Sequence, residues 1–222
     1  MPILQVASSN SGKIAEFHLA AQLWLGNDHD SGPAAQHRAD GTSRWTIQLV
    51  PGIDALPPCR EDGDSFAANA RKKALHYSGI VGGLVLGDDS GLEVEALGGA
   101  PGIYSRRYAG ENASDDQNNA KLLQQLTGIP SEQRTAQFVC ALAVAQGREV
   151  AAEFRGVARG MILASPRGTD GFGYDPLFLD PESERTFAEM APEDKLRRSH
   201  RGQALRMLLE WLEQWADANH KS

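Results

Sequence analysis

Residues 84–96 read LVLGDDSGLEVEA, and this stretch decides the fold class. The apolar run Leu84–Leu86 predicts a short buried strand that ends at the polar turn Gly87–Gly91. Apolar residues alternate again after that turn, at Leu92, Val94 and Ala96. Helical patterns lie on both sides of the stretch. Because strands alternate with helices along the chain, we expect an α/β fold.

The chain N-terminal to this stretch has the same order of strand and helix. Ile3–Ala7 is apolar and predicts a buried strand that ends at the turn Ser8–Gly12. Residues 26–44 are polar without periodicity and predict an inserted surface loop. Apolar residues recur at helical spacing before that loop, at Ile14, Phe17, Ala21 and Trp24, and alternate as in a strand after it, at Trp45, Ile47 and Leu49.

The rest of the chain adds helices and at least one antiparallel stretch. Asp64 or Ser65 is expected to cap a helix that runs to about Tyr77, and Ser114 with Gln117 forms a capping box before the next helix. Alternating apolar residues predict a strand within residues 138–144, and one or two more strands are expected within 150–164 and another at 176–179. The last helix has an apolar face of Leu205, Leu208, Leu212 and Trp215. We therefore expect a mixed β-sheet with flanking helices in one domain, residues 1–222.

Composition limits the classes of function. Of the 222 residues, 41% are hydrophobic and 23% are charged, which excludes wholesale disorder. The net charge of −7 disfavours nucleic acid as a partner, and an anion would need local cations or a metal. Cys59 and Cys140 form neither a disulfide framework nor a zinc motif. We expect a cytoplasmic protein with no membrane partner, since the sequence has no signal-peptide pattern and no run long enough to span a bilayer.

The turn SSNSGK, residues 8–13, joins the first strand to the first helix. Lys13 lies in the first turn of that helix, where a cation opposes the helix dipole unless an anion is bound there. The turn is not a Walker A loop, because that motif needs a glycine where Ala7 stands and Ser or Thr where Ile14 stands. The two interpretations are a phosphate site and a solvent-exposed lysine.

Two adjacent carboxylates, Asp88 and Asp89, follow the strand Leu84–Leu86. Like charges at this spacing repel unless a positive group lies beside them, and carboxylates with substrate phosphates are the usual ligands of Mg²⁺. Glu61, on the turn before the next helix, could add a third carboxylate. The alternative interpretation of Asp88–Ser90 is a turn cap.

Two later segments could contact a flat ligand. In GFGYDP, residues 171–176, glycines beside aromatic residues allow close backbone approach and leave a ring free to stack, although the same pattern is typical of a turn with its aromatics in the core. Lys195 and the pair His200–Arg201 can donate hydrogen bonds to a carbonyl or a phosphate. Their alternative interpretation is a solvated, basic start of the last helix.

These segments, in this order, resemble the inosine triphosphate pyrophosphatase family, the non-canonical purine NTP pyrophosphatases. The resemblance extends from Ile3 to about Leu209. It rests on SSNSGK, EDGDSFAANARKKA, GDDSGLEVEALGGAPGIYSRRYAG, GTDGFGYDPLF and TFAEM with SHRGQAL. It implies an elongated, two-lobed α/β domain with a central substrate cleft, usually a homodimer. It further implies Mg²⁺-dependent hydrolysis of ITP, dITP and XTP to the monophosphate and pyrophosphate, which removes these nucleotides from the pool.

The resemblance also implies roles for single residues. Asp89 would be the general base, and Glu61 and Asp89 would hold Mg²⁺ with Asp88 nearby. The phosphates would contact Lys73 and the loop of Ser8, Ser9, Asn10, Ser11, Gly12 and Lys13, and Ser90 would contact the substrate. The base would lie against Phe172, Gly173, Tyr174 and Asp175, with Phe172 stacked on it, and would contact Lys195, His200 and Arg201.

Base choice then follows from hydrogen-bond polarity. Hypoxanthine and xanthine present a carbonyl acceptor at C6 where adenine presents an amino donor, so a cationic donor such as Arg201 or His200 rejects adenine.

The chain departs from the family pattern in the long 26–44 loop, in Ser9 where many relatives have glycine, and in Leu196 where some have a polar residue. Two other hypotheses remain: a pyrophosphatase with a different base preference, and a nucleotide-binding protein without catalysis.

Overall fold

The structure, a computed structural model, describes residues 2–25 and 45–219. The predicted surface loop 26–44 lies outside the described residues. Within them, strands and helices alternate along residues 3–125, four successive strands follow within residues 135–186, and the α/β class with a mixed sheet is confirmed.

One seven-stranded sheet runs through the chain in the order β2-β1-β3-β4-β5-β6-β7. Strand β1 pairs in parallel with both β2 and β3, whereas β6 pairs antiparallel with both β5 and β7. Two residues join β4 to β5, and so short a connection suits only antiparallel neighbours. The strands are β1 Ile3–Ala7, β2 Thr46–Leu49, β3 Leu84–Val94, β4 Thr135–Gln146, β5 Glu149–Ile162, β6 Phe178–Asp180 and β7 Arg185–Thr186.

Residues 2–25 and 45–219 contain five α-helices, and two of these helices begin at caps that the sequence predicts. Ser65, one of the two predicted caps, accepts a hydrogen bond from the Ala68 N–H at the start of α2, and Ser114 forms the predicted capping box with Gln117 at the start of α3. No helix among the described residues is long and apolar enough to cross a membrane. The helices are α1 Ser11–Leu25, α2 Phe66–Val81, α3 Asp115–Gln125, α4 Pro192–Arg198 and α5 His200–Asn219.

Strand β3 corrects the sequence analysis. The predicted turn at Gly87–Gly91 does not form, and the strand continues from Leu84 to Val94. Asp88 and Asp89 therefore lie inside a strand, and both are buried. Local composition favours a turn at glycine, aspartate and serine, but pairing and burial in the sheet override that preference.

The described chain divides into two compact units, and the four boundaries between them fall inside β3, β4, β5 and the first turn of α5. Unit 1 comprises residues 1–88, 141–155 and 202–222. All four tryptophans belong to it: Trp45 donates its indole N–H to the Leu212 carbonyl at 3.1 Å, its ring lies 5.6 Å from that of Trp215, and the other two are Trp24 and Trp211.

Unit 2 comprises residues 89–140 and 156–201 and has its own apolar core. Phe138, Phe178 and Phe187 form its aromatic centre, with ring centroids 4.7 to 5.9 Å apart. Three of the four tyrosines, Tyr104, Tyr108 and Tyr174, belong to this unit. Each unit therefore buries enough apolar surface to place its own polar side chains on a defined backbone.

Gly87 brings β3 and α2 into close contact within unit 1. A Cβ atom on Gly87 would lie 2.2 Å from the carbonyl oxygen of Ala70 and 2.6 Å from the backbone nitrogen of Ala74. Both neighbours are helix backbone and cannot rotate away, so only glycine fits at this position. The contact fixes α2 directly beside the residue that precedes Asp88.

We predict that Gly87→Ala lowers the free energy of unfolding by about 1–3 kcal/mol, because helix and strand must separate to admit the methyl group. Urea denaturation followed by circular dichroism measures this loss. The matched control is Gly79→Ala in α2, the helix that Gly87 contacts. Nothing lies within 4 Å of a Cβ atom added at Gly79, so this variant should raise the free energy of unfolding by up to about 1 kcal/mol. Equal stability of Gly87→Ala and the unmodified protein would contradict the steric argument.

Candidate active site

The turn before α1 is arranged by its own polar side chains. Asn10 accepts a hydrogen bond from the Lys13 N–H at 2.9 Å and so caps the helix, while Ser8 accepts one from the Asn10 N–H at 3.2 Å. Ser9 and Ser11 are exposed and Gly12 is half-buried. The side chain of Lys13 is only 15% exposed and forms an ion pair with Asp88. Lys13 is therefore not the solvent-exposed lysine of the alternative interpretation.

Lys73 connects two acidic positions from its place on α2. Its Nζ atom lies 2.9 Å from Glu61 Oε1 and donates a hydrogen bond to the Asp88 carbonyl oxygen at 2.8 Å. Lys13 with Asp88 and Lys73 with Glu61 form two ion pairs, and the hydrogen bond of Lys73 to the Asp88 backbone connects them. We call these four residues the unit 1 charge cluster. Its two cations offset its two carboxylates, so the deeply buried Asp88, 1% exposed, is electrostatically compensated.

Cys59 lies near this cluster, and it is a free thiol like Cys140. Burial and, secondarily, the charge of Glu61 raise the pKa of the Cys59 thiol. Because the thiolate is the reactive form, a raised pKa disfavours Cys59 as a nucleophile. Cys140 is fully buried, and a thiol in such a position is typically inert.

The three carboxylates predicted to hold a metal do not form a closed cage. Among residues 2–25 and 45–219, no three Asp, Glu, His or Cys side chains come together in a group that could hold a metal ion. Consecutive side chains in a strand point to opposite faces, which separates Asp88 from Asp89. Hard carboxylate oxygens still fit Mg²⁺, since this ion is usually bound by one or two carboxylates, substrate phosphates and waters.

Asp89 and Ser90 begin unit 2. Asp89 is buried, and its Oδ1 atom accepts a hydrogen bond from the Ser90 N–H at 3.0 Å. Ser90 is half-buried. This local hydrogen bond to Oδ1 orients the Asp89 carboxylate.

The predicted glycine-rich segment forms a tight loop around Asp175. Asp175 Oδ2 accepts the Phe172 N–H at 2.9 Å and lies 2.6 Å from Lys195 Nζ. Gly171 has φ 78°, and a Cβ there would lie 2.2 Å from Asp175 Oδ2. The Asp175–Lys195 ion pair is almost completely buried, so each partner compensates the charge of the other.

The Phe172 ring is half-buried between two cationic groups of its own unit. Lys195 Nζ lies 4.7 Å from the ring centroid, and Arg201 Cζ lies 5.6 Å from it. Both distances are within the range of cation–π attraction. This set of three residues, the Phe172 ring cluster, combines a flat apolar face with hydrogen-bond donors.

Tyr174 has a different environment from Phe172. Its ring belongs to the apolar core of unit 2, and its hydroxyl donates a hydrogen bond to the Ser105 carbonyl at 2.8 Å. Burial raises the pKa of Tyr174, so the phenol stays protonated and remains a donor. The alternative interpretation of GFGYDP, aromatics packed in the core, therefore describes Tyr174 and not Phe172.

His200 and Arg201 are buried in the first turn of α5. The His200 ring stacks on Phe138 with centroids 4.7 Å apart and planes 9° apart, so the core holds the imidazole. Lys195 lies on α4, a short helix that the sequence analysis did not predict. The structure thus brings Lys195, Arg201 and Phe172 together in unit 2 and Lys13, Lys73, Glu61 and Asp88 together in unit 1.

Two residues that the sequence analysis did not consider also contact the glycine loop. Asp115 Oδ2 accepts the Gly173 N–H at 2.6 Å, and Asn119 Nδ2 donates to the Gly173 carbonyl at 2.9 Å. The capping box at Ser114 predicts where α3 begins, but nothing in the local sequence connects that helix to residues more than fifty positions away.

Comparisons with known proteins cover most of the chain. The model of the Ham1 family matches residues 4–211. A dITP/XTP pyrophosphatase of Desulforamulus reducens is 53% identical over 211 residues, which are 94% of each chain. Another, of Geobacter sulfurreducens, is 45% identical over 212 residues, which are 96% of this chain and 97% of that protein.

A solved structure agrees in fold with these sequence matches. The HAM1 protein from Coxiella burnetii is 36% identical to this chain, and the match covers 96% of this chain and 100% of that one, with a TM-score of 0.80. The resemblance carried by the sequence motifs is confirmed. Family model, relatives and solved structure agree over nearly the full length, and the chain belongs to the Ham1 family.

Proposed function

We propose that this protein hydrolyses non-canonical purine nucleoside triphosphates, namely ITP, dITP and XTP, to the monophosphate and pyrophosphate. The observation that carries the proposal is the half-buried Phe172 ring with Lys195 and Arg201 beside it. This arrangement occurs in a chain that is about half identical to proteins named dITP/XTP pyrophosphatase. A flat purine and its carbonyl groups suit such a combination of ring and donors.

The Phe172 ring cluster would bind the base. The purine stacks on Phe172, and the cationic donors Lys195 and Arg201, with His200, face its carbonyl groups. Adenine has an amino donor at C6, so a buried donor of the protein would be left opposite another donor. With ATP the protein donor would lose the hydrogen bond that it makes to a C6 carbonyl, and we therefore expect strong discrimination against ATP.

The unit 1 charge cluster would bind the phosphates. Lys13 and Lys73 neutralise Asp88 and Glu61 in the described structure, and the same ammonium groups are suited to phosphoryl oxygens. The turn Ser8–Lys13 adds the N-terminus of α1, whose dipole favours an anion. Together these groups would offset the negative charge of a triphosphate in an acidic protein.

Asp89 would act on the attacking water. It takes a proton from the water while the water oxygen forms a bond to the α-phosphorus, and the bond from that phosphorus to the bridging oxygen of pyrophosphate breaks. We propose Glu61 and Asp89 as ligands of Mg²⁺, with Asp88 nearby. When bound, this ion would offset charge on the phosphoryl oxygens and make the water more acidic.

Two further properties belong to the proposal. We propose a homodimer, which sedimentation of the purified protein would test. We also propose a cytoplasmic location, supported by the free thiols of Cys59 and Cys140, since a reducing compartment keeps cysteines unpaired. Neither property enters the mechanism.

The first test is pyrophosphate release from ITP, XTP, GTP and ATP, each with Mg²⁺ and with EDTA. We expect metal-dependent release from ITP and XTP and little from ATP. Asp89→Asn should lower kcat about 10²–10⁴-fold, because the amide cannot take the proton from water.

The control for Asp89→Asn is Asp64→Asn, at an exposed carboxylate. It should keep full activity, and circular dichroism should show that both variants are folded. Equal rates on all four nucleotides would refute the base-selection argument. Full activity of Asp89→Asn would refute the assignment of the base.

A pair of neighbouring lysines on α2 tests the phosphate assignment. Lys73→Met should lower kcat/KM about 10- to 100-fold, the usual range for losing one charge-assisted hydrogen bond. Lys72→Met should stay within about twofold, because the Lys72 side chain is 47% exposed and pairs with the exposed Asp62. Steady-state kinetics with ITP measures both, and equal losses in the two variants would contradict the special role of Lys73.

A further inference from the structure

We propose that Asp115 and Asn119 are positioning residues for base recognition: from one face of α3 they hold the Gly173 backbone and so fix the Phe172 ring. The inference deepens the proposed function and rests on it. It assigns to α3 a role in choosing the base, although neither side chain is proposed to touch the nucleotide.

Both side chains bind the same loop residue, Gly173, one at its N–H group and the other at its carbonyl. Asp115 accepts the Gly173 N–H at 2.6 Å, and Asn119 donates to the Gly173 carbonyl at 2.9 Å. The N–H belongs to the peptide group shared with Phe172, and the carbonyl belongs to the next peptide group. Residues four apart lie on the same face of a helix, so α3 can orient both peptide planes at once.

The loop needs such external support. Gly171 and Gly173 have φ values of 78° and 63°, and this left-handed backbone cannot be part of a regular sheet ladder. No atom lies within 4 Å of a Cβ built on Gly173, so close packing does not hold this glycine in place. Hydrogen bonds hold the loop instead: the Phe172 carbonyl accepts the Asp175 N–H at 3.3 Å, and side chains bind the Phe172 N–H and both backbone groups of Gly173.

The opposite side of Phe172 is fixed by the ion pair already described. Asp175 accepts the Phe172 N–H and contacts Lys195, whose Nζ atom lies 4.7 Å from the ring centroid. Two carboxylates, Asp115 and Asp175, thus accept two consecutive backbone N–H groups. Movement at Gly173 would therefore change the distance from the ring to Lys195 and Arg201.

The Asn119 side chain provides a second, independent observation. Its Oδ1 atom is buried and has no hydrogen-bond partner within the described part of the chain. The Nδ2 hydrogen bond to the Gly173 carbonyl therefore determines how the amide group of Asn119 is oriented.

The test uses Asn119→Ala and Asp115→Ala with ITP as substrate. We expect KM to rise about tenfold, kcat to stay within twofold, and the inhibition constant of inorganic tripolyphosphate to stay unchanged. Tripolyphosphate lacks a base and probes the phosphate site alone. Asp115→Asn keeps an acceptor oxygen and should restore most of the affinity for ITP, and Asn119→Asp replaces Asn119→Ala if the latter does not fold.

The matched control is Gln125→Ala, an exposed amide near the end of the same helix, which should leave all three constants unchanged. An unchanged KM in both alanine variants would overturn the inference. A parallel rise in KM and in the tripolyphosphate constant would also overturn it, because it would indicate general damage.

Hydrogen exchange of the Gly173 amide separates this inference from the proposed function. If the unmodified protein does not hydrolyse ITP, the proposed function fails. The exchange rate of the Gly173 amide then still tests whether α3 holds the loop in place. Exchange about tenfold faster in Asp115→Ala than in Gln125→Ala supports positioning. Equal exchange in the two variants overturns it.

Discussion

The contact of β3 with α2 at Gly87 is the constraint on which the rest of unit 1 depends. Without a side chain at this position, the strand approaches the helix backbone closely enough to exclude even a methyl group. The next residue along the strand is Asp88 and the helix carries Lys73, so the packing contact also sets the reach of the lysine to the Asp88 carbonyl. The close packing of β3 on α2 therefore also determines where the Lys73 ammonium group lies.

Each unit contains a buried carboxylate that forms an ion pair with a lysine. Buried carboxylates cost free energy unless cations accompany them, and Asp88 with Lys13 and Asp175 with Lys195 meet that condition. The same ammonium groups are chemically suited to phosphate or to a purine carbonyl. In the described structure each of these ammonium groups is therefore compensated by a carboxylate of the protein itself, which lets an acidic chain bury lysine side chains.

Capping and turn patterns in the sequence predict local structure such as helix starts. They do not predict contacts between residues that are distant in sequence. The caps Ser65 and Ser114 start α2 and α3 where the sequence places them. The turn predicted at Gly87–Gly91 is wrong because sheet pairing decides that backbone. The contacts of Asp115 and Asn119 with Gly173 join residues 58 and 54 positions apart, a distance at which neither capping rules nor periodicity carry information.

The distribution of aromatic residues over the units has a spectroscopic consequence. Because every tryptophan belongs to unit 1 and three of the four tyrosines belong to unit 2, indole emission reports on unit 1, and the tyrosine bands of second-derivative absorbance spectra, which separate phenol from indole, report mainly on unit 2. The two optical signals therefore follow two parts of one chain without any added label. Coincident melting curves would mean that the units unfold as one cooperative system, and separated curves would give each its own stability.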